Sequence, residues 1–269
     1  MSHIIPTYAV CTSCSVEPSP LGGYGLFYTP TNAPPSSDLE LLRIPSQSVL
    51  NLGNLLKALN ELKSRDRHFP QIDVHESKTI IGILQALSPI SETTVIFAYI
   101  LAFKVLILAG DKSQYFQSSP LRKFDDYIEV LSTTQVLDPA VSPEFTQSIR
   151  EEYEHFTSEW DSSEKHLLTF EIFYQLLQAV RSRVLEIPRG IDGSSEDFTT
   201  DVSLVPVLDF ANHRSSGSHN AVFDVDRQTN DVVLRLLQVD ESSKFEVTIC
   251  YDVEDKTDDF FFTYGFNPQ

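Results

Sequence analysis

Basic residues are scarce in this chain, and their scarcity excludes a nucleic-acid surface. Twenty Lys and Arg stand against 38 Asp and Glu, for a net charge of −18 over 269 residues. Such a surface repels a polyphosphate backbone. It would attract a basic protein, although acidic surfaces also serve plain solubility. Cysteine is scarce too, and three residues make no disulfide framework. Cys11-x-x-Cys14 is a lone pair with no second Cys/His pair spaced to complete a zinc site, so no metal is expected. Cys250, in the run Glu246-Val247-Thr248-Ile249-Cys250-Tyr251, reads as a buried strand residue. A reducing compartment follows, cytoplasm or nucleus. The N-terminus lacks the basic region and long apolar run of a signal peptide. Thr93 to Ala109 is strongly apolar but short for a span and carries Lys104, so it reads as a buried helix and not a membrane segment. Internal repeats are absent.

The hydrophobic content of 41 %, with 11 % aromatics, is that of a globular chain with a sizeable core. Three zones follow one another. From Thr7 to about Leu50 the pattern is strand-like, with strands expected at Thr7–Cys11, Gly25–Thr29 and Leu39–Ile44. From Leu52 to about Ile187 the period becomes helical, over Leu52–Lys63, Glu76–Leu87, Thr93–Ala109, Pro120–Leu131, Pro143–Trp160 and Thr169–Ile187. Pro120 and Pro143 fall where first-turn prolines are tolerated. Arg189–Asp201 reads as a surface loop. From Ser203 strands return at Asn220–Asp226, Val232–Val239 and Lys244–Tyr251, and a short helix covers Thr257–Phe262. Strands, a helical block, then strands again describe one α+β fold split by an insertion.

The chemistry-bearing residues gather at the C-terminal end. Leu204-Val205-Pro206-Val207-Leu208-Asp209-Phe210-Ala211-Asn212-His213 places an Asn-His pair after an apolar run, and buried polar groups of that kind need partners. Tyr251 and Tyr264-Gly265-Phe266 follow, with Phe260, Phe261 and Phe262 between them. On the helix expected at Thr169–Ile187, Arg183 falls on the apolar stripe of Phe173, Leu176, Val180 and Ile187. A guanidinium facing a core needs an anion. Near the N-terminus, Gly22-Gly23-Tyr24-Gly25-Leu26-Phe27 is a glycine turn without the third glycine of a dinucleotide fold.

Asp-x-x-Asn-His, an isolated tyrosine and Tyr-Gly-Phe, in this order and spacing, resemble the C-terminal half of a SET domain. The match is to the protein-lysine methyltransferases typified by the Rubisco large-subunit enzyme. Gly23-Tyr24-Gly25 resembles that family's cofactor turn, and Ser182-Arg183 its Ser-Arg. Ser119 to Leu131 resembles the family's insert helix. The resemblance implies a SET β-fold of small sheets with an N-terminal portion at 1–51, a helical insertion at 52–190 and a C-terminal portion at 191–269. It implies S-adenosylmethionine as cofactor, contacted by Gly23, Tyr24, Gly25, Arg183, Asp209, Asn212, His213, Tyr264 and Phe266, with Tyr251 as the catalytic residue. The acceptor would be a lysine of a basic, non-histone protein, such as a ribosomal protein or an elongation factor. Two alternatives stand beside it, an inactive SET-like interaction module and a histidine methyltransferase. Lys256-Thr257 replace the small polar residue and Asn usual after the catalytic tyrosine, and the chain ends just after Tyr-Gly-Phe, where larger relatives continue into a helical lobe.

Residue chemistry adds a constraint of its own. Lysine near pKa 10.4 is protonated at pH 7, and neutralising it costs about 4–5 kcal/mol. Desolvation among aromatic rings lowers that pKa. A site for amine methylation is therefore expected to be rich in Tyr and Phe, with no carboxylate beside the nitrogen. Phe260–Phe262 read as ordinary core.

Overall fold

A computed structural model describes residues 4–11, 13–30, 38–68, 75–110, 122–188, 199–237, 243–251 and 257–264. The start of the helix expected at Pro120–Leu131, the expected surface loop from Arg189 as far as residue 198, Lys256 and the Gly265-Phe266 pair lie outside these residues. The chain divides into two compact units, one made of Met1–Leu50 with Arg183–Gln269, the other of Asn51–Ser182.

The first unit is built from small sheets. Helix α1 (Ile4–Tyr8) precedes β1 (Val10–Cys11), β2 (Cys14–Pro18), β3 (Tyr24–Tyr28), β4 (Glu40–Ile44) and β5 (Leu50–Asn51). After the helical block come β6 (Val184–Pro188), β7 (Thr200–Leu204), β8 (Asn212–His213), β9 (Ala221–Val225), β10 (Val232–Leu236) and β11 (Phe245–Ile249). They assemble in the orders β1-β4-β10-β9, β2-β3-β11-β8 and β5-β7-β6. The second sheet joins the two ends of the sequence. β11 runs antiparallel to β3, with Glu246 opposite Phe27 and Val247 opposite Leu26, and parallel to β8, with Thr248 opposite Asn212 and Ile249 opposite His213. Phe245, Val247 and Ile249 are buried on the β11 face that packs inward, which leaves Glu246 and Thr248 on the face they share with Phe27 and Asn212.

Two departures from the sequence pattern have local causes. The strand expected at Thr7–Cys11 begins instead as the buried turn of α1, where Pro6 sits in a first helical turn. The helix expected to reach Ile187 stops at Arg181, and Val184–Pro188 is a strand paired with β7 from Thr200 to Leu204. Ile187 precedes Pro188, which disfavours the helical region for it, and period 2 buries Leu185 and Ile187. Period 3.6 also reaches Ile187, so the two patterns coincide there. The strands β2, β5, β6, β7 and β8 were not anticipated. They are short, polar or close to turns.

The second unit is helical: α2 (Leu52–His68), α3 (His75–Leu87), α4 (Glu92–Ala109), α5 (Asp125–Thr133), α6 (Pro143–Glu159) and α7 (Phe170–Arg181). The apolar α4 starts on a Ser91/Thr94 capping box and stops at Gly110, whose φ of 65° suits the left-handed cap. Its length and composition would allow it to cross a membrane, yet Ile96 to Phe103 are all buried inside the protein. Phe97 meets Phe173 of α7 edge-on at 5.0 Å, and Phe173 packs on Phe156 of α6 at 5.7 Å. Lys104 reaches Ser132 Oγ at 3.0 Å, so its charge leaves the apolar face of α4. A final helix, α8 (Thr257–Tyr264), belongs to the first unit.

Candidate functional site

The parallel pairing of β8 with β11 decides where the site forms. It sets Asn212 and His213 beside Thr248 and Ile249, and Tyr251 lies two residues beyond the strand end. The Tyr251 amide donates to His213 Nδ1 at 3.1 Å, and the Tyr251 hydroxyl donates to the Ala211 carbonyl at 3.0 Å. A ring nitrogen that accepts is unprotonated, so this contact selects the neutral imidazole with its proton on Nε2. His213, 6 % exposed, thereby clamps Tyr251 to β8.

Aromatic rings close around the tyrosine. Tyr264 of α8 lies 4.9 Å from the Tyr251 ring, and Phe260 lies 4.5 Å from Tyr264 and 4.9 Å from His213. Phe260, expected as plain core, is buried and also walls the site. Burial raises the Tyr251 phenol well above its usual range, with Asp209, Tyr264 and Glu246 adding to the rise and Arg183 opposing it. The hydroxyl is thus a neutral donor at physiological pH. Phe266 and Gly265 lie outside the described residues.

Arg183 and Asp209 find each other. Arg183 Nη1 donates to Asp209 Oδ2 at 2.9 Å and to the Asp209 carbonyl at 3.1 Å, and its guanidinium carbon lies 5.0 Å from the Phe210 ring. The Asp209 carboxylate is fully buried and the Arg183 side chain nearly so. The anion that the guanidinium required is therefore a neighbouring side chain of the chain itself. Just before it, Val207 holds φ 79° and ψ −47°, a region that costs a β-branched residue about 1–3 kcal/mol. This strained turn throws Leu208–Phe210 into a short 3-10 helix and aims Asp209 at Arg183.

The glycine turn joins the same site through a residue the sequence reading missed. Ser19 N–H donates to the Gly23 carbonyl at 3.0 Å, and Gly23 takes φ 60°, which closes the turn. Beyond it, Asn212 Nδ2 donates to the Tyr24 carbonyl at 3.3 Å and to Glu246 Oε1 at 2.6 Å. Ser19 Oγ donates to the same carboxylate oxygen at 2.7 Å. A Cβ at Gly25 would collide with that oxygen and stand 3.1 Å from Asn212 Nδ2. Gly25 is therefore required by close approach. Glu246 was legible only as the polar residue two before Thr248 in an otherwise apolar strand.

Two carboxylates, Asp209 and Glu246, lie within electrostatic reach of Tyr251, and each is engaged by the chain itself. Asp209 is neutralised by Arg183, and Glu246 is held by Asn212 and Ser19. Among the described residues, Asn212 Oδ1 and Glu246 Oε2 accept no hydrogen bond. Two open acceptors beside the glycine turn, with the half-exposed Tyr24 at its edge, suit a ligand that presents an ammonium group. That acceptor pair fits the α-ammonium of S-adenosylmethionine.

Other chemistry-bearing residues stand apart. Cys11 and Cys14 are free thiols lining a cavity of about 490 Å³ with Ile5, Pro6 and Ala9, and Cys14 pairs with Tyr28, at the far end of β3 from Gly25. Among the described residues no group of three His, Cys, Asp or Glu could hold a metal ion.

A solved structure shares this architecture. The SET domain of LSMT bound to lysine and AdoHcy matches with a TM-score of 0.52 over 95 % of this chain and 53 % of that one, at 14 % identity. The fold is that of a SET domain. A family model described as Cytochrome c lysine N-methyltransferase 1 matches residues 3–269, and the chain belongs to that family. Curated relatives of that name include the Saccharomyces cerevisiae protein, 28 % identical over 286 residues, and the Candida glabrata protein, 29 % identical over 291. These alignments take in 95 % and 96 % of this chain but 46 % and 51 % of the relatives. The chain spans about half the length of the curated relatives it matches.

Proposed function

We propose that this chain is an S-adenosylmethionine-dependent protein-lysine N-methyltransferase whose acceptor is a lysine of cytochrome c. The observation that carries the reading is the convergence of the glycine turn, the Asn212-His213 pair and Tyr251 on one sheet, although they come from opposite ends of the sequence. The family name supplies the acceptor in place of the ribosomal proteins and elongation factors expected from the SET resemblance and the acidic charge. Cytochrome c is a basic substrate, and a chain of net charge −18 favours encounter with it. Three free cysteines support a reducing compartment such as the cytoplasm.

The cofactor, when bound, supplies an electrophilic methyl on a sulfonium. The chain's own part is to bind, orient and dry the reacting groups. Asn212 and the Gly23-Tyr24-Gly25 backbone would hold the amino-acid end of the cofactor. Arg183 and Asp209 fix the loop that carries the Ala211 carbonyl, and this carbonyl holds the Tyr251 hydroxyl in place. The rings of Tyr251, Tyr264 and Phe260 exclude water from the acceptor, which favours the neutral amine that transfer needs. Tyr251 orients and does not abstract a proton, because its phenol stays neutral.

Incubation with labelled S-adenosylmethionine and cytochrome c tests this directly. Label is expected on a lysine, and label absent from cytochrome c but present on another protein would overturn the substrate. A separate prediction concerns Gly25→Ala. The added methyl displaces the Glu246 carboxylate and breaks its bonds to Asn212 and Ser19, so S-adenosylhomocysteine binding by calorimetry should weaken at least about tenfold. Unaltered binding would show that the close approach has no role in the site.

A further inference from the structure

We infer that Glu246 is a positioning residue for the cofactor, acting through Asn212: its carboxylate orients the Asn212 amide so that Oδ1 is presented to the ligand's α-ammonium. The inference rests on the cofactor reading above and adds a residue that the motifs do not contain.

The argument begins with the inventory of donors. A carboxylate only accepts, whereas an amide has a donating and an accepting end. An amide lying against a carboxylate therefore turns its nitrogen inward. Asn212 does so at 2.6 Å, a short charge-assisted bond, and Nδ2 also reaches the Tyr24 carbonyl at 3.3 Å. Both donors are engaged on the protein side, and the accepting end is left facing outward.

Glu246 is itself held in place. Ser19 Oγ donates to the same oxygen at 2.7 Å and accepts from the Leu21 amide at 2.9 Å, so the carboxylate also ties down the glycine turn. Asn220 pins the β11 backbone on both sides, donating to the Glu246 carbonyl and accepting from the Thr248 amide, each at 2.8 Å. Gly25 keeps open the space the carboxylate fills.

The chemistry of the pair suggests its own test. Glu246→Gln keeps the shape but offers a donor as well as an acceptor, so Asn212 can lie either way round. S-adenosylhomocysteine should bind Glu246→Gln about tenfold more weakly than the parent, while 5′-methylthioadenosine, which lacks the amino-acid end, should bind both alike. In an Asn212→Ala background the Glu246→Gln change should cost almost nothing further, because Glu246 works through that amide. Ser19→Ala, which keeps the carboxylate and loosens it, should show a smaller effect of the same selectivity. Parent-like S-adenosylhomocysteine binding by Glu246→Gln, equal losses for both ligands, or full additivity with Asn212→Ala would each overturn the inference. Failure of the parent chain to bind S-adenosylhomocysteine would remove the cofactor reading and the inference together.

Discussion

Tyr251→Phe should lower the rate of methyl transfer about 100-fold while leaving cofactor affinity unchanged. The change removes one oxygen from a ring held between His213 and Tyr264, so its packing survives. What is lost is the hydroxyl fixed on the Ala211 carbonyl, hence the orientation of the reacting groups. The pH profile separates orientation from proton abstraction. With the phenol raised by burial, Tyr251 stays neutral through pH 9, and a rise in rate from pH 7 to 9 reports deprotonation of the acceptor lysine. Parent and Tyr251→Phe should therefore show rising limbs of the same shape and different height. Loss of the limb in the variant would make the tyrosine a base. The same shift has a stability consequence. A folded-state pKa above the unfolded value near 10 gives stability that is complete below about pH 10 and is lost as pH rises toward the folded value.

Arg183→Met should cost about 3–5 kcal/mol of folding stability, read from urea denaturation of the chain. The Asp209 carboxylate is wholly buried, and the substitution takes away the guanidinium that faces it at 2.9 Å. Adding Asp209→Asn to that variant removes the charge and should recover part of the loss, a coupling that a cycle of the two substitutions measures. A loss below about 1 kcal/mol would mean that the pair behaves as an exposed one.

The outline of this site was legible in the sequence because its motifs carry their own geometry. Asn212-His213 after an apolar run, Tyr251 at a strand end and glycines at 22, 23 and 25 could be read as residues needing burial, partners or close approach. Helix α7 was legible from its regular apolar stripe, and α4 from a continuous apolar run too long for a strand. Partner choice was not. Arg183 showed its need for an anion, but only the folded chain brings Asp209 to it across 26 residues. Glu246 was hidden because its significance depends on the register of β11 against β3 and β8, and period 2 alone marks it as an unremarkable polar strand residue. Val207 was hidden by its own chemistry, since a valine is the last residue expected at positive φ. The early end of α7 was masked by Ile187, a position that both periodicities bury.

Hydrogen exchange with and without S-adenosylhomocysteine puts the central claim to its most direct test. Protection should appear together in three separated segments, at 19–28, 209–214 and 246–251, and little elsewhere. Protection confined to one of them, or falling outside all three, would contradict a single cofactor site built from both ends of the chain.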